Sequence, residues 1–339
     1  SPGARAIAFD SAALSLVYDP QLGRLNVTEL AVQSPTLRVM GNGHAYLVRA
    51  DGSTITGALA GELPDAYLSQ LTFSQVKIDP EGLFQEPVEF SQGALDLRLR
   101  LNPFSVEIGQ MALTEAGRRL SASGRLGADA QGWQASVDLA LNEIQHDRLV
   151  ALWPVTLLPN TRTWVGKNVL NGSLTDVKAA LRIEPGAEPR LHLGYNFADA
   201  DVRFVATLPP ITAGSGYASV DGPAYTMVMT QGRVTPPEGG QIDVAGSVFA
   251  IPNVTRRPAL ANITLKTRSS LTAALSLLDQ PPFHFMTKAQ QPVTLGQGEA
   301  QIETRLQLPL QKKIALKDVS YQVAGTVTGF SSETLVPGR

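Results

Sequence analysis

The side chains best suited to chemistry in this chain are four histidines, His44, His146, His192 and His284. A transition metal would need two or more of them held at a fixed spacing, and none lies three or four positions from another. No His-Glu-x-x-His pattern occurs, so each histidine reads as a surface or packing residue. Cysteine is absent, which removes thiolate metal sites, cysteine nucleophiles and disulfides together. The pairs Gly41/Gly43, Gly214/Gly216 and Gly296/Gly298 lack the third glycine of a dinucleotide loop and open no helix. They read as hairpin turns. No Gly-x-Ser-x-Gly elbow or phosphate-binding loop occurs. Asp96, Asp138, Asp176 and Asp243 occupy polar positions of alternating segments, where a carboxylate is solvated, and no two form an evident acid–base pair. The sequence predicts a protein that is not an enzyme and needs no metal or cofactor.

Composition narrows the partners. The chain has 339 residues, 28 Lys+Arg against 30 Asp+Glu and a net charge of -2, which gives no footprint for nucleic acid. Arg98 and Arg100 alone are too sparse to make one. A charged fraction of 17% lies below the roughly 25% of ordinary domains, yet the chain is too apolar for intrinsic disorder. No window approaches the roughly 18 apolar residues of a membrane span, and no signal peptide is visible. The opening Ser1-Pro2-Gly3, without methionine, reads as an excised or processed piece. The glycosylation-type tripeptides at Asn26, Asn171 and Asn262 read as chance.

The elements that must position any site are strands. Leu95, Leu97, Leu99 and Leu101 alternate with Asp96, Arg98 and Arg100. Val177, Ala179, Leu181 and Ile183 alternate with Asp176, Lys178, Ala180 and Arg182. Ile302, Leu306 and Leu308 share a face opposite Gln301, Glu303, Arg305 and Gln307. The same period fits Leu14–Tyr18, Ala135–Leu141, Leu191–Phe197, Val202–Ala206, Tyr225–Met229, Ile242–Val248, Ile263–Thr267 and Val319–Val327. Strands with one wet face belong to antiparallel sheets. Asp51-Gly52, Asn171-Gly172 and Asp221-Gly222 predict tight turns, and Gly41-Asn42-Gly43, Pro236-Pro237 and Gly239-Gly240 wider connections. The expectation is an all-β, mainly antiparallel fold with on the order of 20 strands. Short helices are expected at Leu63–Leu71, His146–Trp153, Asn160–Leu170 (capped by Asn160) and Ser270–Leu278 (capped by Ser270, stopped by Pro281). The organisation expected is a β-array over 1–145, a helical insertion over 146–172 and a second β-array over 173–339, forming one continuous structure.

That many one-sided strands must hide their apolar face. A sandwich, a curled sheet with a hydrophobic groove, and a closed barrel all do so. The aromatics are few, 7 Tyr, 11 Phe and 3 Trp, and an aliphatic lining suits a smooth groove better than a plugged core.

One stretch is distinctive: Leu152-Trp153-Pro154, then Pro159-Asn160-Thr161-Arg162-Thr163-Trp164-Val165, then Asn168-Val169-Leu170-Asn171-Gly172. Physically, Trp153 and Trp164 are expected to anchor the helical insertion to the sheet. The pattern resembles the central region of the AsmA-like family of Gram-negative envelope proteins, of the bridge-like lipid-transfer type. Ser270–Leu278 with Asp279-Gln280-Pro281-Pro282 resembles that family's "LxxxLxLLDxxP" helix. Gly298–Leu310 with Val319-Ser320-Tyr321 resembles its "GxAxxxxxLxLPL…DVxY" strand pair. The likeness covers about 146–325, and the first 140 residues share only its alternating style.

The resemblance implies an elongated repeating β-groove, in the periplasmic part of an inner-membrane-anchored protein, that carries phospholipid towards the outer membrane. Its partners would be phospholipid acyl chains, with the two membranes reached through regions absent here, and possible envelope proteins. Alternation then nominates a lining of Leu95, Leu97, Leu99, Leu101, Val137, Leu139, Leu141, Val177, Leu181, Ile183, Ile242, Val244, Val248, Ile302, Leu306 and Leu308. The alternatives are an envelope scaffold with a dry sandwich core and sheet edges that pair with other chains, and a glycan-active protein with facing carboxylates in an aromatic cleft.

Overall fold

Alternation dictates strands, and the strands form in order along the chain. The computed structural model describes residues 10–57, 63–79, 82–156, 158–311, 314 and 316–333; Ser1-Pro2-Gly3 lies outside them. Among the described residues there are 18 strands and four α-helices, none of them long and apolar enough to cross a membrane. Every strand pair with a resolved register is antiparallel. The all-β antiparallel expectation holds.

The chain divides into two compact units. The first comprises Ser1–Ile144, Arg148–Arg162 and Asp176–Leu191, the second Gln145–Asp147, Thr163–Thr175 and His192–Arg339. The helical stretch is therefore shared between the units and does not stand as a separate body.

Unit 1 is built from β1 (Ser11–Asp19), β2 (Arg24–Gln33), β3 (Leu37–Val48), β4 (Ala66–Ile78), β5 (Val88–Phe90), β6 (Gln92–Leu101), β7 (Phe104–Glu115), β8 (Arg118–Asp129) and β9 (Gly132–Gln145). Each pairs with the next, except that β4 pairs with both β5 and β6, and β6 in turn with β7. The expected helix at Leu63–Leu71 is instead the start of β4, because Tyr67, Ser69 and Leu71 lie opposite Leu99, Leu97 and Leu95.

After β9 come α1 (His146–Ala151) and α2 (Pro159–Asn168). Asn160 is not the cap of α2: Pro159 occupies the first helical position, where its missing N–H costs nothing. Within unit 1, Arg162 organises this stretch. Its Nε donates to the Trp153 carbonyl (3.2 Å), and its Nη2 donates to the Val150 carbonyl (2.9 Å) and to Gln85 Oε1 (2.8 Å). The Val155 N–H donates to the Leu83 carbonyl and the Gln85 N–H to the Ala151 carbonyl. Arg162 thus satisfies carbonyls that the end of α1 leaves open. Arg162→Ala is expected to cost about 2 kcal/mol, read as a lower denaturation midpoint with unchanged m-value. Arg162→Lys should recover little of it, since one ammonium does not span the same three acceptors.

Unit 2 contains β11 (Arg190–Val202), β12 (Ile211–Asp221), β13 (Ala224–Val234), β14 (Ile242–Asp243), β15 (Val248–Ile251), β16 (Leu260–Ser270), β17 (Gln297–Pro309) and β18 (Ser320–Ser331), with α3 (Leu271–Leu278) and α4 (Phe285–Lys288). Strand β10 (Val169–Ile183) is divided in sequence, its residues up to Thr175 belonging to unit 2 and those from Asp176 to unit 1. Asn171-Gly172 is no turn but part of β10. Val202–Ala206 leaves the sheet after Val202, and Ile242–Val248 is two short strands divided by a turn that Asp243 closes by accepting from the Ala245 N–H (2.9 Å).

Helix α3 forms as expected. Ser270 Oγ accepts from the Ala273 N–H (3.1 Å) and donates to the Gly239 carbonyl (2.7 Å). Its buried side is not the row of Leu271, Leu275 and Leu278, which are half-buried or exposed. Ala273, Ala274 and Ser276 are buried, and Ala273 joins Met229, Val234, Ile242 and Val244 in the core of the unit. Small residues are needed there because the Gly239 backbone runs directly over the helix start.

Candidate functional site

Among the described residues the four histidines and the singled-out aspartates lie apart from one another. His44 packs edge-on to Tyr46, His146 opens α1, exposed His192 lies 2.9 Å from Asp221, and His284 precedes α4 in a left-handed conformation. Asp138 pairs with Arg182 (2.7 Å) and Asp176 with Lys178 (2.9 Å), while Asp96 is exposed on the wet face. Among the described residues no group of three His, Asp or Glu has metal-binding geometry.

The Gly-x-Gly pairs have a different origin from the one expected. Gly41/Gly43 lies within β3 and Gly214/Gly216 within β12. A Cβ on Gly43 would sit 2.1 Å from the Gln70 carbonyl oxygen, and one on Gly216 2.0 Å from that of Val228. These glycines permit close approach of paired strands, where a turn was expected.

The sheet face is the feature that repeats. Strand register in unit 1 aligns one row of Leu16, Val27, Gly43, Leu71, Leu95, Met111, Ala122 and Leu139 across β1, β2, β3, β4, β6, β7, β8 and β9. A second row runs Leu14, Leu30, Gly41, Phe73, Gly93, Leu113, Leu120 and Leu141 over the same strands. Next to the first, Leu25, Ala45, Ser69, Leu97, Ile108, Gly124 and Val137 form a third. No residue of these rows is charged. The opposite face carries Arg98, Glu107 and Arg125 in one row. The segregation is that of a sheet with one apolar and one solvated side.

Bulges keep the rows in phase past two extra residues. Ser74 in β4 and Gly109 in β7 stand without a direct partner on one neighbouring strand, so the apolar parity changes from Leu71/Phe73 to Val76/Ile78 and from Val106/Ile108 to Met111/Leu113. Such bulges bend the strand and increase its twist.

Burial is uneven along this face. Val76, Phe90 and Leu113 form a packed cluster with Val39, Phe73, Ile78, Val88, Met111 and Leu120 around them. Leu47 is buried as well, while buried Val48 and Ala66 pair on the opposite side of the sheet. Leu95, Leu97, Leu99, Val137 and Leu141 are only half-buried, Leu139 is 39% exposed and Leu101 63%. The face is not sealed.

Unit 2 repeats the design. Tyr195, Ala218, Met227, Phe249, Ile263, Leu306 and Tyr321 align across β11, β12, β13, β15, β16, β17 and β18. Beside that row the Tyr195 and Tyr225 hydroxyls are 3.1 Å apart and bond each other. Burial pushes the ionisation of both phenols up, well above the usual 10.0 for Tyr195. A raised folded-state value stabilises the fold fully below 10.0, and the contribution is lost as pH rises through it. Unit 2 is therefore expected to lose melting temperature above pH 10.0, and Tyr195→Phe to flatten that loss in a thermal scan series.

Of the expected lining, Val177, Leu181, Ile183, Val248, Ile302, Leu306 and Leu308 are half-buried, as are the unit 1 positions already given except exposed Leu101 and Leu139. Ile242 and Val244 are placed otherwise. Each is 2% exposed inside the cluster beneath α3, so they are closed core and not lining. Trp153 is half-buried, and Trp164, 40% exposed, leans on Phe204 of the β11–β12 loop at 5.8 Å. The sequence reading missed Leu25, Val27, Leu71, Phe73, Ile108, Met111 and Leu113. The bulges hid several of them.

No known protein family, curated protein or solved structure matches the chain. The likeness to the AsmA-like family rests on its motifs alone.

Proposed function

We propose that this chain is a non-enzymatic carrier of phospholipid acyl chains, a segment of a hydrophobic conduit in the cell envelope. The observation that carries the reading is the set of uncharged rows crossing eight strands of unit 1, half-open to their surroundings. An acyl chain leaves water at about 0.8 kcal/mol per methylene, and a lining of Leu, Val, Ile and Met offers that gain without fixing one position. A dry sandwich would close its inner rows as tightly as Val76 and Leu113, and most of these rows are not closed so. The motif resemblance to the AsmA-like family supports the same reading, with a periplasmic location and no cofactor. The direct test is mass spectrometry of lipid extracted from the purified chain. Stoichiometric phospholipid supports the proposal, and a consistently lipid-free protein rejects it.

A scaffold role is favoured by one specific observation. Strand β18 is exposed along its whole length and carries no charge or proline from Ser320 to Ser331, so its own sequence has none of the features that discourage addition of another strand.

A further inference from the structure

We propose that unit 2 carries a contact site for the surface of a membrane containing anionic phospholipid, separate from the sheet face. The site is the aromatic cluster made by α2, the β11–β12 loop and the α3–α4 turn. Trp164 and Phe204 meet at 5.8 Å, and Phe283 and Phe285 stack at 5.7 Å with planes 5° apart. All four rings are exposed, Phe285 by 54%. Two bonds hold these parts together: the Thr207 hydroxyl donates to the Pro281 carbonyl (2.6 Å), and the Arg203 N–H to the Asn168 carbonyl (2.9 Å).

Charge selects the occupant. Lys167, Arg203 and Lys288 each lie within three or four residues of one of the rings, are exposed, and have no ion-pair partner among the described residues. The neighbouring carboxylates are engaged internally. Both Asp279 oxygens accept from Thr287, at 2.8 Å each, and Asp201 accepts from the Ala213 N–H at 3.0 Å. Exposed Trp and Phe flanked by free cations match a bilayer interface, where rings enter the acyl boundary and cations meet phosphate. A protein groove would not require the excess positive charge.

The test is co-sedimentation of the full chain with phosphatidylcholine vesicles, with and without phosphatidylglycerol. Binding is expected on the anionic vesicles, weaker on the neutral ones and reduced by salt. Phe283→Ser with Phe285→Ser, and separately Arg203→Ala with Lys288→Ala, should each lower partitioning at least about tenfold. Trp164→Phe should remove a blue shift of tryptophan emission seen on vesicle addition. The rings are exposed, so circular dichroism should report an intact fold in each variant. Leu97→Arg should bind vesicles normally, which keeps this site distinct from the lipid-carrying face. The proposal is overturned by absence of vesicle binding, by equal binding to neutral vesicles, by loss of binding in Leu97→Arg, or by indifference to the Phe283/Phe285 change. Aromatic-dependent capture of an envelope protein in place of vesicles also overturns it.

Discussion

Leu97→Arg is expected to strip co-purifying phospholipid from the protein while leaving its unfolding transition almost in place. Leu97 is half-buried between Ser69 of β4 and Ile108 of β7. An arginine there can lay its stem along the sheet and lift its guanidinium to solvent, so the stability change should stay within about 1 kcal/mol. The lipid loses more. Displacing only two methylenes from the face removes about 1.6 kcal/mol, slightly over tenfold in affinity. Two controls separate the readings. Asp96→Arg alters the wet face one residue away and should leave lipid content unchanged. Leu113→Arg places the same charge in the packed cluster with Val76 and Phe90 and should destabilise by about 4 kcal/mol. If Leu97→Arg unfolds the chain as Leu113→Arg does, the rows are a closed core and the conduit reading fails.

Gly239→Ala should be among the most destabilising single changes in unit 2, while Gly240→Ala beside it is mild. Both glycines have positive φ, +87° and +90°, so both substitutions carry about 1 kcal/mol of backbone strain. They differ in surroundings. A Cβ on Gly239 would lie 2.1 Å from the Ala273 nitrogen and 2.6 Å from its Cα, whereas one on Gly240 meets nothing within 4 Å. The clash is with backbone, at the point where Ser270 both caps α3 and bonds the Gly239 carbonyl. Relief requires moving the helix off Ile242 and Val244. The expected losses are about 4 kcal/mol for Gly239 and about 1 kcal/mol for Gly240, measured by denaturant unfolding. Equal losses would show that the loop relaxes freely and that α3 is not locked by it.

The sequence made strands legible where alternation ran unbroken. β6 and the later part of β9 were read with the correct inward side because Leu95–Leu101 and Ala135–Leu141 keep period two throughout. β4 and β7 were missed because Ser74 and Gly109 shift the phase midway, so no window long enough shows a clean alternation. β3, β8 and β12 were missed for another reason: Gly43, Gly124 and Gly216 occupy apolar-face positions, and glycine carries no hydropathy signal. The same close approach turned Gly-x-Gly into a false turn. Ile242 and Val244 matched the lining pattern, but only the placement of α3 decides that they are covered. Arg162 and the Trp164–Phe204 contact depend on partners far along the chain, Gln85 and the 203–210 loop, which spacing cannot supply.

The bulges divide the information in this sheet in an unusual way. Removing Ser74 or Gly109 would leave Leu71, Phe73 and Val76, or Ile108 and Met111, facing the same side, because each extra residue is a one-step correction of the count. A deletion at any ordinary strand position would invert everything beyond it. The wetting of the face and its local bend are thus written at different addresses in the chain. Descendants of this sequence can redraw the bend, one bulge at a time, without ever presenting a charged residue to whatever lies along it.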